Sequence, residues 1–151
     1  MEFPVHIPFV EALGFELTHF DAGAAEIFLT LRDDQLNSFG VAHGGVCMTL
    51  LDVVMAHAAR SIHRDLPDAG PGVVTVEMKT SFMRPGEGRL RATGKVLHKT
   101  STMAFTDGAI HAEDGSLCAH ATATFKYVRK LPAHGRALKT LQRRLTGAGS
   151  D

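Results

Sequence analysis

A chain of 151 residues has the length of one ordinary domain, enough to bury a core and too little for two. Its apolar share of 44% and charged share of 21% are those of a soluble globular protein, and no apolar run reaches the length needed to cross a bilayer, which argues against a membrane partner. Formal net charge is zero, yet residues 1–128 carry ten Lys/Arg against fifteen Asp/Glu, while residues 129–151 carry six against Asp151 alone. An acidic body with a short basic end favours a solvated tail over a nucleic-acid surface.

In chain order, the N-terminus Met1-Glu2-Phe3-Pro4-Val5-His6 has no basic segment leading into an apolar stretch, so no secretory signal is expected and the cytoplasm is the expected location. Residues 4–13 are expected to form a short helix stopped by Gly14. Ala24 to Leu31 reads as the first strand, and Arg32 to Ala42 as a polar loop. Val46 to Ala59 lacks Gly and Pro and is apolar on nearly every face, which predicts a helix buried all round. From residue 74 the period changes to two. Val74, Val76, Met78 and Phe82 are expected on one face of a strand, with Thr75, Glu77, Lys79 and Ser81 on the other. Pro85 to Gly88 makes a turn, Leu90 to Val96 alternates again, and a turn near Lys99-Thr100-Ser101 leads to a strand over Met103 to Ala112. Glu113 to Ser116 reads as a hairpin turn before the alternation from Leu117 to Tyr127. The order is strand, long helix, then four antiparallel strands. An all-round apolar helix needs cover, and one curved sheet wrapped around it supplies that cover, an α+β architecture known as the hot-dog fold. The body is expected to span residues 1–131, with residues 132–151 as a basic C-terminal tail.

Two features point to chemistry. Asp52 lies within Leu50-Leu51-Asp52-Val53-Val54-Met55, in the middle of the apolar helix. A carboxylate there must find partners or hold a proton, and from position alone a structural hydrogen bond explains it as well as a catalytic role does. His43-Gly44-Gly45 stands immediately before the helix. Glycines and free amides at a helix start suit an oxyanion hole, although the same triplet also makes an ordinary flexible junction. Asp52 follows Gly44 by eight residues, which is roughly 12 Å along a helix at about 1.5 Å per residue. One carbonyl cannot use both from one helix, so if both act, the site combines Gly44 of one subunit with Asp52 of another.

Asn37-Ser38-Phe39-Gly40-Val41-Ala42-His43-Gly44-Gly45 followed by Leu50-Leu51-Asp52 resembles the signature of the hot-dog acyl-CoA thioesterases of the phenylacetate-pathway (PaaI-like) family, and Val74 to Gly86 is similar to that family's next strand and turn. The likeness covers approximately residues 8–128. It implies catalytic roles for Asp52 (nucleophile, or base aligning water), the Gly44 amide in the His43-Gly44-Gly45 turn (carbonyl polarisation), Asn37 (substrate or water) and the Thr75 hydroxyl (support of the acid). It also implies acyl-CoA as substrate, and the distance from Gly44 to Asp52 makes self-association as a dimer or dimer of dimers the expected assembly. The 23-residue basic end departs from the family pattern. Gly45, Arg84, Lys99, Thr100 and Ser101 are candidates for substrate binding, the basic side chains and turn amides suiting CoA phosphates, although solvated strand ends read the same way.

No cofactor or metal is expected. The nine histidines form no close ligand set, His57 reads as a core histidine, and Cys47 and Cys118 lack paired spacing and read as small core residues. The alternative to an enzyme is a non-catalytic acyl-CoA sensor on the same fold, and a hot-dog dehydratase is disfavoured because Asp52 has no clear His partner. Phe9, Phe39, Met48, Met55 and Phe82 are the candidates for lining an aryl or medium-chain acyl pocket.

Overall fold

The structure is a computed structural model that describes residues 1–131 together with 136 and 137. The proposed tail therefore lies almost wholly outside the described residues. Within them, helix α1 (Pro8–Leu13) begins later than the expected residue 4 and ends as expected at Gly14, whose left-handed φ of 78° closes the helix. Strands β1 (Glu16–Asp21) and β2 (Ala24–Thr30) form a hairpin, followed by helix α2 (Gly44–Ser61). Then come β3 (Gly72–Phe82), β4 (Arg89–Lys99), β5 (Met103–His111) and β6 (Leu117–Val128). Two short pieces, β7 (Lys130–Leu131) and β8 (Arg136–Ala137), pair with each other.

Six strands make one antiparallel sheet in the order β1-β2-β4-β5-β6-β3. This is the expected α+β architecture, a curved sheet around a long helix, with one strand more than the sequence pattern suggests. Strand β1 escapes a period-two reading because a bulge between Leu17 and His19 leaves only Leu17 and Phe20 buried, three positions apart. Four of the five pairings carry such a register shift, β2–β4 being the regular one, and the shifts bend the sheet around α2.

Close packing against the helix depends on a glycine window. Gly94 of β4 lies directly opposite Gly108 of β5, and a Cβ at Gly94 would stand 2.8 Å from the Val54 carbonyl oxygen, one at Gly108 2.9 Å from Met55 Cγ. Only glycine lets the helix backbone settle this deep. Leu50, Leu51, Val54, Met55 and Ala58 are consequently sealed in the core with Ile27, Leu29, Leu90, Ile110 and Phe125.

The expectation of a helix buried all round requires correction. Gly45 and Met48 are exposed and Thr49, Asp52 and Ala56 only half-buried. These positions fall on one stripe of a 3.6-residue helix. The stripe lies open because β3 is an edge strand, and the single sheet does not wrap past it. No helix among the described residues is long and apolar enough to cross a membrane.

Candidate active site

The start of α2 is assembled by capping. His43 is the N-cap residue, and its Nδ1 accepts the Gly45 N–H at 2.9 Å. That bond fixes Nδ1 as an acceptor and leaves the ring proton on Nε2 in the neutral form. It also explains Gly45, where a Cβ would crowd His43 Nδ1 at 3.1 Å. Gly44 is the first residue of the helix, and an amide at that position has no carbonyl four residues back within the helix to accept it, whereas the Val46 and Cys47 amides already donate to the His43 carbonyl at 2.9 and 3.2 Å. Its face is half-open, with the Phe82 ring 3.6 Å from where a Cβ would lie.

Asn37 holds the preceding loop together. Its Oδ1 accepts from the Phe39 N–H at 2.9 Å and the Val41 N–H at 3.3 Å, while its backbone N–H reaches the Val41 carbonyl at 2.8 Å. Gly40 turns the chain with a φ of 75°. With Oδ1 so engaged, only the Nδ2 amide of Asn37 is left to meet a ligand. The loop projects Phe39 outward, 88% exposed.

Asn37, Phe39, Gly44 and Arg84 share a cavity of about 570 Å³ with Phe82, Met83, Cys47, Cys118 and Ala119. Of the expected apolar lining residues, Phe39 and Phe82 are present. Met55 belongs to the core, Phe9 is exposed on α1, and Met48 is exposed on the stripe of α2. The sequence reading missed Cys47 and Cys118 as lining residues. Both are buried, as expected, and their position on the cavity wall has no signal in spacing.

Asp52 sits two turns farther along α2 and does not line this cavity. Thr75 Oγ1 donates to Asp52 Oδ1 at 2.7 Å. Burial pushes the Asp52 carboxyl above the usual carboxylate range, and the Thr75 hydroxyl partly draws it back by favouring the ionised form. The contact depends on an irregularity in β3. Thr75 pairs with Phe125 and Glu77 with Thr124, so Val76 is an extra residue in a bulge. Phe125 points into the core, and Thr75 beside it points inward too. After the bulge Met78 faces inward opposite Ala123, while Glu77 turns outward to take a 2.8 Å hydrogen bond from Thr124. The single alternation expected over residues 74–82 is therefore corrected. It holds from Glu77 onward and is inverted before Val76, which is what turns Thr75 toward the helix.

The predicted residues thus fall into three groups. Asn37, His43, Gly44, Gly45 and Arg84 gather at the helix start, and Asp52 with Thr75 stands roughly 12 Å along the helix at about 1.5 Å per residue. Lys99, Thr100 and Ser101 form the β4–β5 turn near the far end. There Lys99 Nζ lies 5.2 Å from the Tyr127 ring centroid and donates to the Thr100 carbonyl, and Tyr127 OH donates to the Ala59 carbonyl at 2.7 Å. Ala59 is roughly 22 Å from Gly44 by the same rise per residue. His57 is buried as expected, its Nδ1 2.7 Å from the Val53 carbonyl, but Nε2 has no partner. Among the described residues, no three His, Cys, Asp or Glu side chains gather as a metal site.

A family model described as Thioesterase superfamily matches residues 39–119, a stretch that takes in the His43-Gly44-Gly45 turn, Asp52 and Thr75. The chain is 28% identical over 135 residues to a medium/long-chain acyl-CoA thioesterase, YigI of Salmonella typhimurium, covering 82% of this chain and 87% of that protein. Among solved structures it is similar to the E. coli PaaI protein from the phenylacetic acid degradation operon, with a TM-score of 0.72 at 25% identity over 80% of this chain and 83% of that one. It is also similar to smu.793 of Streptococcus mutans bound to acetyl CoA, with a TM-score of 0.67 at 25% identity, covering 76% and 88%. An amide-lined helix start and a half-buried carboxylate on one hot-dog helix, matched by the family model across both, mean that this chain belongs to the Thioesterase superfamily and is a thioester hydrolase.

Proposed function

We propose that the protein is a cytoplasmic acyl-CoA thioesterase whose active site is shared between two subunits. The observation that carries this reading is the separation of Gly44 from Asp52 by two turns of one helix, since each supplies half of the chemistry and neither reaches the other's substrate carbonyl. The Gly44 N–H of one subunit holds the thioester carbonyl oxygen as it gains negative charge, aided by the positive end of the helix. Asp52 of the other subunit attacks the carbonyl carbon or aligns the water that does, with Thr75 fixing Oδ1 and leaving Oδ2 to act. Water is consumed, the carbon–sulfur bond breaks, and free acid and CoA leave.

The surface of the single chain supports this pairing. Strand β3 is an edge 11 residues long, with Thr75, Val76, Glu77, Lys79 and Ser81 exposed. Its unpaired backbone groups and the adjacent open stripe of α2 form one face, the kind of edge that proteins cover by pairing. A two-fold pairing there gives two equivalent sites per dimer, and a second two-fold contact between dimers makes a dimer of dimers. Arg84 at the cavity mouth supplies a cation for a CoA phosphate. The Lys99-Thr100-Ser101 turn, at the far end of α2, meets the same CoA only when a second subunit brings it there.

The test is complementation between two inactive variants. Gly44→Pro removes the amide proton at the first helical position, which tolerates proline, and His43 already has the extended ψ of 137° that a following proline requires. Asp52→Asn removes the carboxylate. Each homodimer is expected to be inactive toward acyl-CoA. Co-refolding equal amounts restores about a quarter of wild-type turnover, because half the dimers are mixed and one of their two sites is intact. Failure of the mixture to regain activity, with dimers present by sedimentation, would count against the shared site.

A further inference from the structure

Burial orders the cavity beside Gly44 from mouth to inner end. Phe39, Phe82 and Met83 are 88%, 54% and 49% exposed and form the mouth with Arg84, whereas Ala42, Cys47, Cys118 and Ala119 are 7%, 5%, 2% and 1% exposed and form the inner end. Every inner residue is small, so the space exists because these positions carry no larger side chain. Cys47 lies on α2 one turn after Gly44 and lines the same cavity. Cys118 at the start of β6 faces the same space, its Sγ 3.7 Å from the carbonyls of Pro85 and Ser116. The inner end offers no charged side chain.

We propose that Cys47, backed by Cys118, sets how long an acyl group the enzyme accepts, and that the cavity takes an uncharged hydrocarbon acyl end. This rests on the thioesterase reading of the site and adds its substrate class. A chain tail that enters past the Phe82 ring stops against Cys47 and Cys118. A thiol here acts as a small apolar wall: burial pushes the Cys47 thiol up to about 11, so it stays protonated and uncharged at neutral pH. A carboxylate at the acyl terminus would be stranded among these groups without a partner.

The experiment measures kcat/KM for butanoyl-, hexanoyl-, decanoyl- and adipoyl-CoA in the wild type, Cys47→Leu, Cys47→Ala and Cys118→Val. Each buried methylene contributes about fourfold, and leucine fills space for about two of them. The decanoyl-to-butanoyl ratio is therefore expected to fall about tenfold or more in Cys47→Leu, to fall less in Cys118→Val and to rise in Cys47→Ala. Hexanoyl-CoA is expected to exceed adipoyl-CoA at least tenfold in the wild type. A decanoyl-to-butanoyl ratio that stays constant across the folded variants, or equal rates with adipoyl- and hexanoyl-CoA, overturns the proposal. A second readout is the melting temperature in decanoate, which should rise for the wild type and less for Cys47→Leu. A wild type that hydrolyses no acyl-CoA yet shows this difference would refute the thioesterase reading and keep the cavity assignment. Equal decanoate shifts in the two proteins would overturn the cavity assignment itself.

Discussion

Asp52 and His57 are titratable side chains five residues apart on one helix, and they meet opposite environments. Asp52 lies on the open stripe, half-buried, with a hydroxyl on one oxygen and the other oxygen available. His57 lies on the covered flank, 1% exposed, edge-on to the rings of Phe3 and Phe20 at centroid distances of 5.1 and 6.0 Å. Burial drives its pKa down to about 4, against the opposing effect of the Val53 carbonyl. Half-burial keeps a charge accessible and perturbed, which suits reactivity, whereas full burial keeps a group neutral. Helix α2 thus divides its labour by flank. Changes on the open side should alter rate and spare stability, and changes on the packed side should do the reverse.

The largest effect expected is on the open flank. Asp52→Asn should lower kcat toward acyl-CoA by at least about a hundredfold, with little change in affinity, because it removes the base or nucleophile and keeps the shape. The melting temperature should hold or rise, since a partly desolvated charge is removed. A fully active Asp52→Asn protein would break the division at its centre.

On the packed flank, His57 should make stability depend on pH. Its folded pKa lies below the ordinary 6.5, so the unfolded chain binds the proton more readily. Stability is fully present above about pH 6.5 and falls by about 3 kcal/mol as the pH drops toward 4. Urea unfolding across that range should show the slope, and His57→Leu should flatten it. An unchanged slope in the variant would place the effect elsewhere.

Gly94→Ala probes the same flank through packing alone. Its new Cβ would meet Val54 and Met55 backbone atoms at 2.8 to 3.1 Å, contacts that no side-chain rotation relieves. A loss of about 2 kcal/mol and a fall in melting temperature of roughly 5 °C are expected, with turnover at 25 °C largely kept. Unaltered stability would mean that the helix does not sit as deep as the glycine pair allows.

Thr75→Val should produce the smallest effect. Losing one hydrogen bond to the carboxylate is expected to lower kcat about tenfold, near 1.4 kcal/mol. Because the hydroxyl favours the ionised carboxylate, its removal should also move the acid limb of the pH–rate profile to higher pH. That limb should already lie above the ordinary carboxylate value of 3.8. A loss of rate without displacement of the limb would reduce Thr75 to a structural contact.

Much of this molecule is written locally. The apolar run around Asp52, the Gly14 stop, the His43-Gly44-Gly45 start and the alternations of β4 to β6 each depend on neighbours within a few residues, so near-neighbour patterns specify the helix, strands β2 and β4 to β6, and the spacing of Gly44 from Asp52. Tertiary structure decided the rest. The inward turn of Thr75 follows from a bulge at Val76 that becomes visible only when β3 is laid against β6. The second edge strand, β1, was hidden by its own bulge. The open stripe of α2 arises because β3 ends the sheet, and the cavity wall joins Cys47 to Cys118 across the fold. Periodicity and propensity act between near neighbours, whereas register, sheet edges and cavity walls are set by distant segments meeting, and no short window of sequence contains both partners of such a contact.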